Sequence, residues 1–202
     1  MYLQFLGQGA AVSTVALAAA TRLPVVQRID DAIERFAGTH RALATPFARI
    51  GTLPGERYIH PLIGALSAAA VLWLRPTGGA ARALVPLTGA SLGAIIAHHA
   101  VKFFYRRPRP AIALSRGKTE AAFPSGHTAD ATAVVLTSAW ILVHEGILPL
   151  ALALPLAIAI ALVTGISRVA LGWHWGSDVL GGWLAGLSVA AGCAMLYNVL
   201  AA

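Results

Sequence analysis

Apolar runs of about the length needed to cross a bilayer recur from one end of this chain to the other, and no other feature constrains its fold as strongly. Helices and closed barrels are the structures that satisfy their own backbone in lipid, and runs of this length suit helices rather than alternating ten-residue strands. Six spans are expected, near Leu3–Ala20, Tyr58–Leu74, Ala83–Phe104, Ser125–Val143, Leu148–Ile166 and Asp178–Leu200, each bounded by Arg, Pro, Gly or Trp. Only 11% of the 202 residues are charged, less than half the share in soluble domains, and mean hydropathy is +0.72. A disordered tail, a collagen-like rod and an ordinary cytosolic enzyme are excluded. The expected architecture is an all-α polytopic membrane bundle of six transmembrane helices, forming a single domain over residues 1–202. Ala18-Ala19-Ala20 resembles a signal cleavage site, but no Lys or Arg precedes Arg22 to form a basic leader, so the first span is expected to be retained.

Between the first two spans, Val25, Val26, Ile29, Ile33 and Phe36 recur at helical spacing, while Arg28, Asp30, Asp31, Glu34 and Arg35 occupy the other face. This predicts an amphipathic helix on the membrane surface, with no chemistry assigned to it. With six spans, the connections after the first, third and fifth emerge on one side. Thirteen of the fifteen Lys+Arg fall there, leaving Arg75 and Arg82 opposite. Flanking cations and an anionic substrate account for the net charge of +7, so no nucleic-acid partner is implied. The positive-inside rule makes the crowded side cytoplasmic, a vote biased by any cations kept for substrate. The single Cys193 excludes an intrachain disulfide and a thiolate metal cluster, and the oligomeric state is left open.

Three polar clusters fall on that crowded side. The first, Lys102 to Pro110, ends the third span. Its prolines stop the helix, so Lys102 stays on the last turns while Arg109 projects from the loop. The second, Phe123-Pro124-Ser125-Gly126-His127, opens the fourth span with Ser125 as a candidate N-cap and Gly126 letting an anion approach the first-turn amides. The third, Ser167 to Asp178, joins the fifth and sixth spans. There His174 and Asp178 would share a face if helical, the carboxylate fixing the imidazole tautomer. Two like charges about 6 Å apart repel by roughly 3 kcal/mol at an effective dielectric near 20, so gathering Lys102, Arg109 and Arg168 requires an anion. A phosphate fits, and two histidines then remain for chemistry.

These segments, K-x6-R-P at Lys102 to Pro110, P-S-G-H at Pro124 to His127, and S-R-x5-H-x3-D at Ser167 to Asp178, resemble the three signature motifs of the type 2 phosphatidic acid phosphatase (PAP2) superfamily. The resemblance implies a metal-independent lipid phosphatase of the membrane branch. His174 would attack phosphorus to give a phosphohistidine, Asp178 would support it and His127 would protonate the leaving oxygen. Lys102, Arg109, Ser125, Gly126 and Arg168 would hold the phosphoryl oxygens. Candidate substrates are polyprenyl diphosphate, phosphatidylglycerophosphate and phosphatidate, with membrane lipids around the protein. No cofactor or metal is expected, because the histidines lie among cations without Cys or carboxylates at ligand spacing. The pocket pattern also resembles vanadium-dependent haloperoxidases, which are soluble, and a non-catalytic lipid-phosphate binder would need the same cradle. Asp130 is expected in interhelical hydrogen bonding, or in tuning His127; His98 and His99 in packing or behind the site; and Glu120 beside a loop arginine.

Overall fold

The computed structural model describes residues 2–75 and 80–202. Among them are eight α-helices and no strand: α1 (Tyr2–Ala20), α2 (Pro24–Gly51), α3 (Ile59–Leu74), α4 (Ala80–Phe104), α5 (Ala111–Ser115), α6 (Gly126–His144), α7 (Leu150–Ala170) and α8 (Gly176–Ala201). A short 3-10 turn, Leu53–Gly55, links α2 to α3. Each expected span coincides with a helix, with ends differing by up to four residues. Four of them, α1, α4, α7 and α8, are long and apolar enough to cross a membrane, and α3 is a shorter apolar helix.

The fourth expected span, α6, is not among those four, and its position explains why. It packs against α3, α4, α7 and α8, and thirteen of its nineteen residues are buried. A helix enclosed by other helices can carry His127, Thr128, Asp130, Thr132, Thr137 and Ser138, which a lipid-facing helix could not. The outer helices show the reverse pattern, exposing Leu62, Leu66, Trp73, Leu92, Ile96, Leu152 and Leu162 on the outside of the bundle.

Lipid tails are as apolar as leucine, so close packing rather than the hydrophobic effect holds such helices together. The contact of α8 with α6 depends on small residues. A Cβ on Gly182 would lie 2.7 Å from the Ser125 carbonyl oxygen and from Thr128 Cβ; one on Gly186 would lie 2.6 Å from the Ala129 carbonyl oxygen. This approach lets the Ser125 amide donate to the Asp178 carbonyl at 2.9 Å, clamping the start of α6 to the start of α8.

The surface helix is longer than the amphipathic pattern alone implied, and its polar face is not uniformly solvated. α2 runs along the ends of α7 and α8. Arg41 bridges Glu34 at 2.8 Å and donates to the Ala170 carbonyl at 3.1 Å. Asp30, expected on the water side, is only 2% exposed, because that side of α2 abuts the loops between spans.

Candidate active site

The first cluster leaves α4 after Phe104 and turns into an extended segment through Pro108 and Pro110. Lys102 thus stays on the last turn of α4. Arg109 folds inward, 8% exposed, donating from Nε to the Glu120 carbonyl at 2.9 Å and from Nη1 to the Trp173 carbonyl at 2.9 Å. Its Nη2 approaches the exposed Glu120 carboxylate at 3.6 Å, the loop ion pair expected from sequence.

Ser125 is the N-cap of α6 by position, but its hydroxyl caps nothing. The correction has a local cause: Ser125 Oγ accepts from Thr128 Oγ1 at 2.9 Å, leaving its own proton to donate elsewhere. In the third cluster, α7 ends at Ala170, Gly172 turns back with φ of 72°, and α8 begins at Gly176. His174 therefore precedes the helix rather than sharing a face of one with Asp178. The two still meet, with His174 Nδ1 3.4 Å from Asp178 Oδ2, because Asp178 reaches back across the cap to accept from the Trp175 amide at 2.9 Å.

Lys102, Arg109, Gly126, His127, Arg168 and His174 line one cavity of about 1100 Å³, although they come from segments far apart in sequence. Ser125 and Asp178, both fully buried, stand directly behind it. Arg109 Nη1 lies 3.2 Å from His174 Nε2. A guanidinium can only donate, so Nε2 carries the lone pair and Nδ1 the proton, on the side of Asp178 but without the hydrogen-bond geometry expected between them. Burial first, and then Arg109, Arg168 and Lys102, hold the His174 imidazole well below the ordinary histidine range, against an opposing pull from the Ala122 carbonyl. Arg168 donates to Thr52 Oγ1 at 2.8 Å and stacks 4.2 Å from the Trp173 ring centroid, while its buried Nε has no protein partner among the described residues. The site is a cationic cradle around a neutral, oriented imidazole.

Three neighbours went unnoticed in the sequence. Glu56, just before α3, brings Oε1 to 3.1 Å from His127 Nε2. That approach requires Gly55, where any Cβ would collide with the His127 backbone. Arg107 donates to Asp178 Oδ1 at 2.7 Å, Ser177 Oγ at 2.6 Å and Asp30 Oδ2 at 2.6 Å. Asp30 also accepts from the Ser177 amide at 2.9 Å and its hydroxyl at 2.6 Å. The surface helix thereby reaches the carboxylate behind His174. No local pattern marks Asp30, since its partners lie about 77 and 147 positions away. Arg107→Ala would leave Asp30 and Asp178 buried without their cation, a loss of about 3–5 kcal/mol. A thermal melt of the detergent-solubilised variant should show a clearly lowered midpoint; an unchanged midpoint would mean that the bridge contributes nothing to stability.

A family model described as the PAP2 superfamily matches residues 83–200. Over 178 residues the chain is 34% identical to phosphatidylglycerophosphatase B of Bacillus subtilis (strain 168), spanning 85% of this chain and 84% of that protein. It also resembles the crystal structure of a transmembrane PAP2-type phosphatidylglycerolphosphate phosphatase from Bacillus subtilis, with a TM-score of 0.76 and 27% identity over 96% of this chain and 95% of the other. The matched region begins in α4 and ends in α8, so it contains the three segments that carry Lys102, His127 and His174, and the chain belongs to the PAP2 superfamily.

Proposed function

We propose that this protein is a multi-pass phosphatase of the bacterial cell membrane that hydrolyses the phosphomonoester of a lipid, with the phosphatidylglycerophosphate class as its best-supported substrate. One observation carries the reading: His174 Nε2, the three cations and His127 face a single cavity. The 34% identity to a phosphatidylglycerophosphatase favours that lipid over phosphatidate or a polyprenyl diphosphate. With α3 and α6 added to the four helices that are long and apolar enough to cross a membrane, the whole chain forms one domain of six spans.

Chemically, the neutral Nε2 of His174 attacks phosphorus and forms an N–P bond while the bond to the lipid oxygen breaks. His127 gives that oxygen its proton. Water then attacks the phosphohistidine as His127 takes a proton from it, releasing inorganic phosphate and restoring both imidazoles. Asp178 compensates the positive charge on the phosphorylated ring, and Glu56 is the counter-ion of His127 while that ring is charged. Lys102, Arg109, Arg168, the Ser125 hydroxyl and the Gly126 amide stabilise the equatorial oxygens. Losing one such contact costs about 2.7–4 kcal/mol by analogy with oxyanion donors.

The test is phosphate release by detergent-purified protein across a panel of lipid phosphates, with and without chelator. Release that persists in chelator is expected; collapse with rescue by magnesium would require a different chemistry. Phosphate binding without turnover would make the protein a carrier, and bromide oxidation with added vanadate would make it a haloperoxidase.

Because the attacking form of His174 is neutral and its pKa lies below the ordinary value of about 6.5, lowering the pH to about 6 should not disable it. Histidine ring NMR should show the Nδ1–H tautomer of His174 from about pH 8 to about pH 6. A midpoint at or above the ordinary value would contradict the buried, cation-ringed environment.

A further inference from the structure

The cavity does not end at the catalytic residues. On α4, the lining residues Ile95, His98, His99 and Lys102 fall on successive turns, covering about 10 Å along the helix axis. The same downward step occurs on the other two walls. Asp130 lies one turn beyond His127 on α6, and His60 one turn beyond Glu56, its amide donating to the Glu56 carbonyl at 3.1 Å. Three elements therefore place a second polar layer, His60, His98, His99 and Asp130, directly beneath the phosphate cradle. The His98 ring sits under Gly126, where a Cβ would lie 3.1 Å from His98 Cε1. Ile95 begins an apolar layer one turn deeper.

This middle layer is not a self-satisfied network. His60, His98 and Asp130 are 1%, 6% and 7% exposed. The one close approach among them is His98 Nε2 to Asp130 Oδ1 at 3.4 Å, an interhelical contact without hydrogen-bond geometry. His60 Nδ1, His98 Nδ1 and Asp130 Oδ1 have no hydrogen-bond partner among the described residues. Buried polar atoms in native proteins are nearly always paired, and three residues that line one cavity with unpaired polar atoms suit a ligand group that both donates and accepts. An alcohol suits an imidazole and a carboxylate together, because its hydroxyl donates to one and accepts from the other.

We infer that His60, His98 and Asp130 form a subsite for the hydroxyl of the alcohol that leaves with the lipid, so that the enzyme selects a phosphate carried on a hydroxyl-bearing linker. This rests on the lipid phosphatase reading above. In phosphatidylglycerophosphate the cleaved phosphate is joined to a glycerol bearing a free hydroxyl, and a phosphoryl group in the cradle puts that linker one layer down. Phosphatidate and polyprenyl diphosphates have no hydroxyl to offer at that depth.

The experiment compares kcat/KM for phosphatidylglycerophosphate with that for its synthetic analogue in which a propanediol linker replaces the glycerol, in mixed micelles. The wild-type protein should prefer the hydroxyl-bearing lipid by about tenfold to a hundredfold, the range for a buried hydrogen bond involving a charged group. In His60→Phe and Asp130→Leu the ratio should fall toward one. A wild-type ratio near one would overturn the subsite and leave the phosphatase reading standing. Variants that lose both substrates in parallel, keeping the ratio, would assign the layer a purely structural role and equally overturn it. Failure of the wild-type protein to release phosphate from any lipid would remove the phosphatase reading itself, and the subsite with it.

Discussion

His174→Ala is expected to abolish phosphate release, by more than about 10⁴-fold, the scale of removing a covalent nucleophile. The size follows from what surrounds the ring. Arg109 holds Nε2 toward the cavity at 3.2 Å and Asp178 faces Nδ1 at 3.4 Å, so deletion removes the one oriented lone pair among several cations. Those cations also rule out simple replacement, because Lys102, Arg109 and Arg168 lack an available lone pair while charged. The backbone around position 174 is held independently, by the Trp173 amide donating to the Arg168 carbonyl at 3.0 Å and by the Arg109 contact to the Trp173 carbonyl. The variant should therefore elute and melt as a folded protein and still bind inorganic phosphate. Turnover within tenfold of wild type would remove His174 from the chemistry.

His127→Ala should lower the rate by about 10²–10⁴-fold on a lipid substrate, the usual contribution of a positioned general acid. Its specific signature is dependence on the leaving group. A lipid alkoxide needs a proton as the ester bond breaks, whereas an activated aryl phosphate leaves without one. The variant's defect should therefore be large on the lipid and much smaller on p-nitrophenyl phosphate, read as two ratios of kcat/KM. Equal losses on both would assign His127 to binding, not proton transfer. With the larger loss on the lipid, Glu56, 3.1 Å from the ring, would then belong to the same proton-handling unit.

The site was legible in the sequence where local rules set it. Prolines around Arg109 force an extended segment, Pro124 and Gly126 mark a helix start, and the parity of the spans puts Lys102, His127 and His174 on one side. What escaped was whatever depends on contacts between distant segments. The 3.6-residue pattern correctly makes α2 amphipathic, but periodicity tells only which face is polar and not whether water or protein meets it; at Asp30 it is Arg107 and Ser177. Glu56 lies in a connection whose approach to His127 depends on the missing Cβ of Gly55. α6 was read from its apolar run as one more span; that it is enclosed by its neighbours and can keep polar residues there depends on contacts a run of residues does not show.

On the proposed reading, segments remote in sequence enclose one phosphoryl group held against His174. An experimental structure of the protein with orthovanadate, which adopts the trigonal bipyramid of phosphoryl transfer, measures this directly. The expected result is vanadium bonded to His174 Nε2, with Lys102, Arg109 and Arg168 donating to its equatorial oxygens and His127 at the apical oxygen opposite. Vanadate bound away from His174, or touching the residues of only one of the three segments, would contradict it.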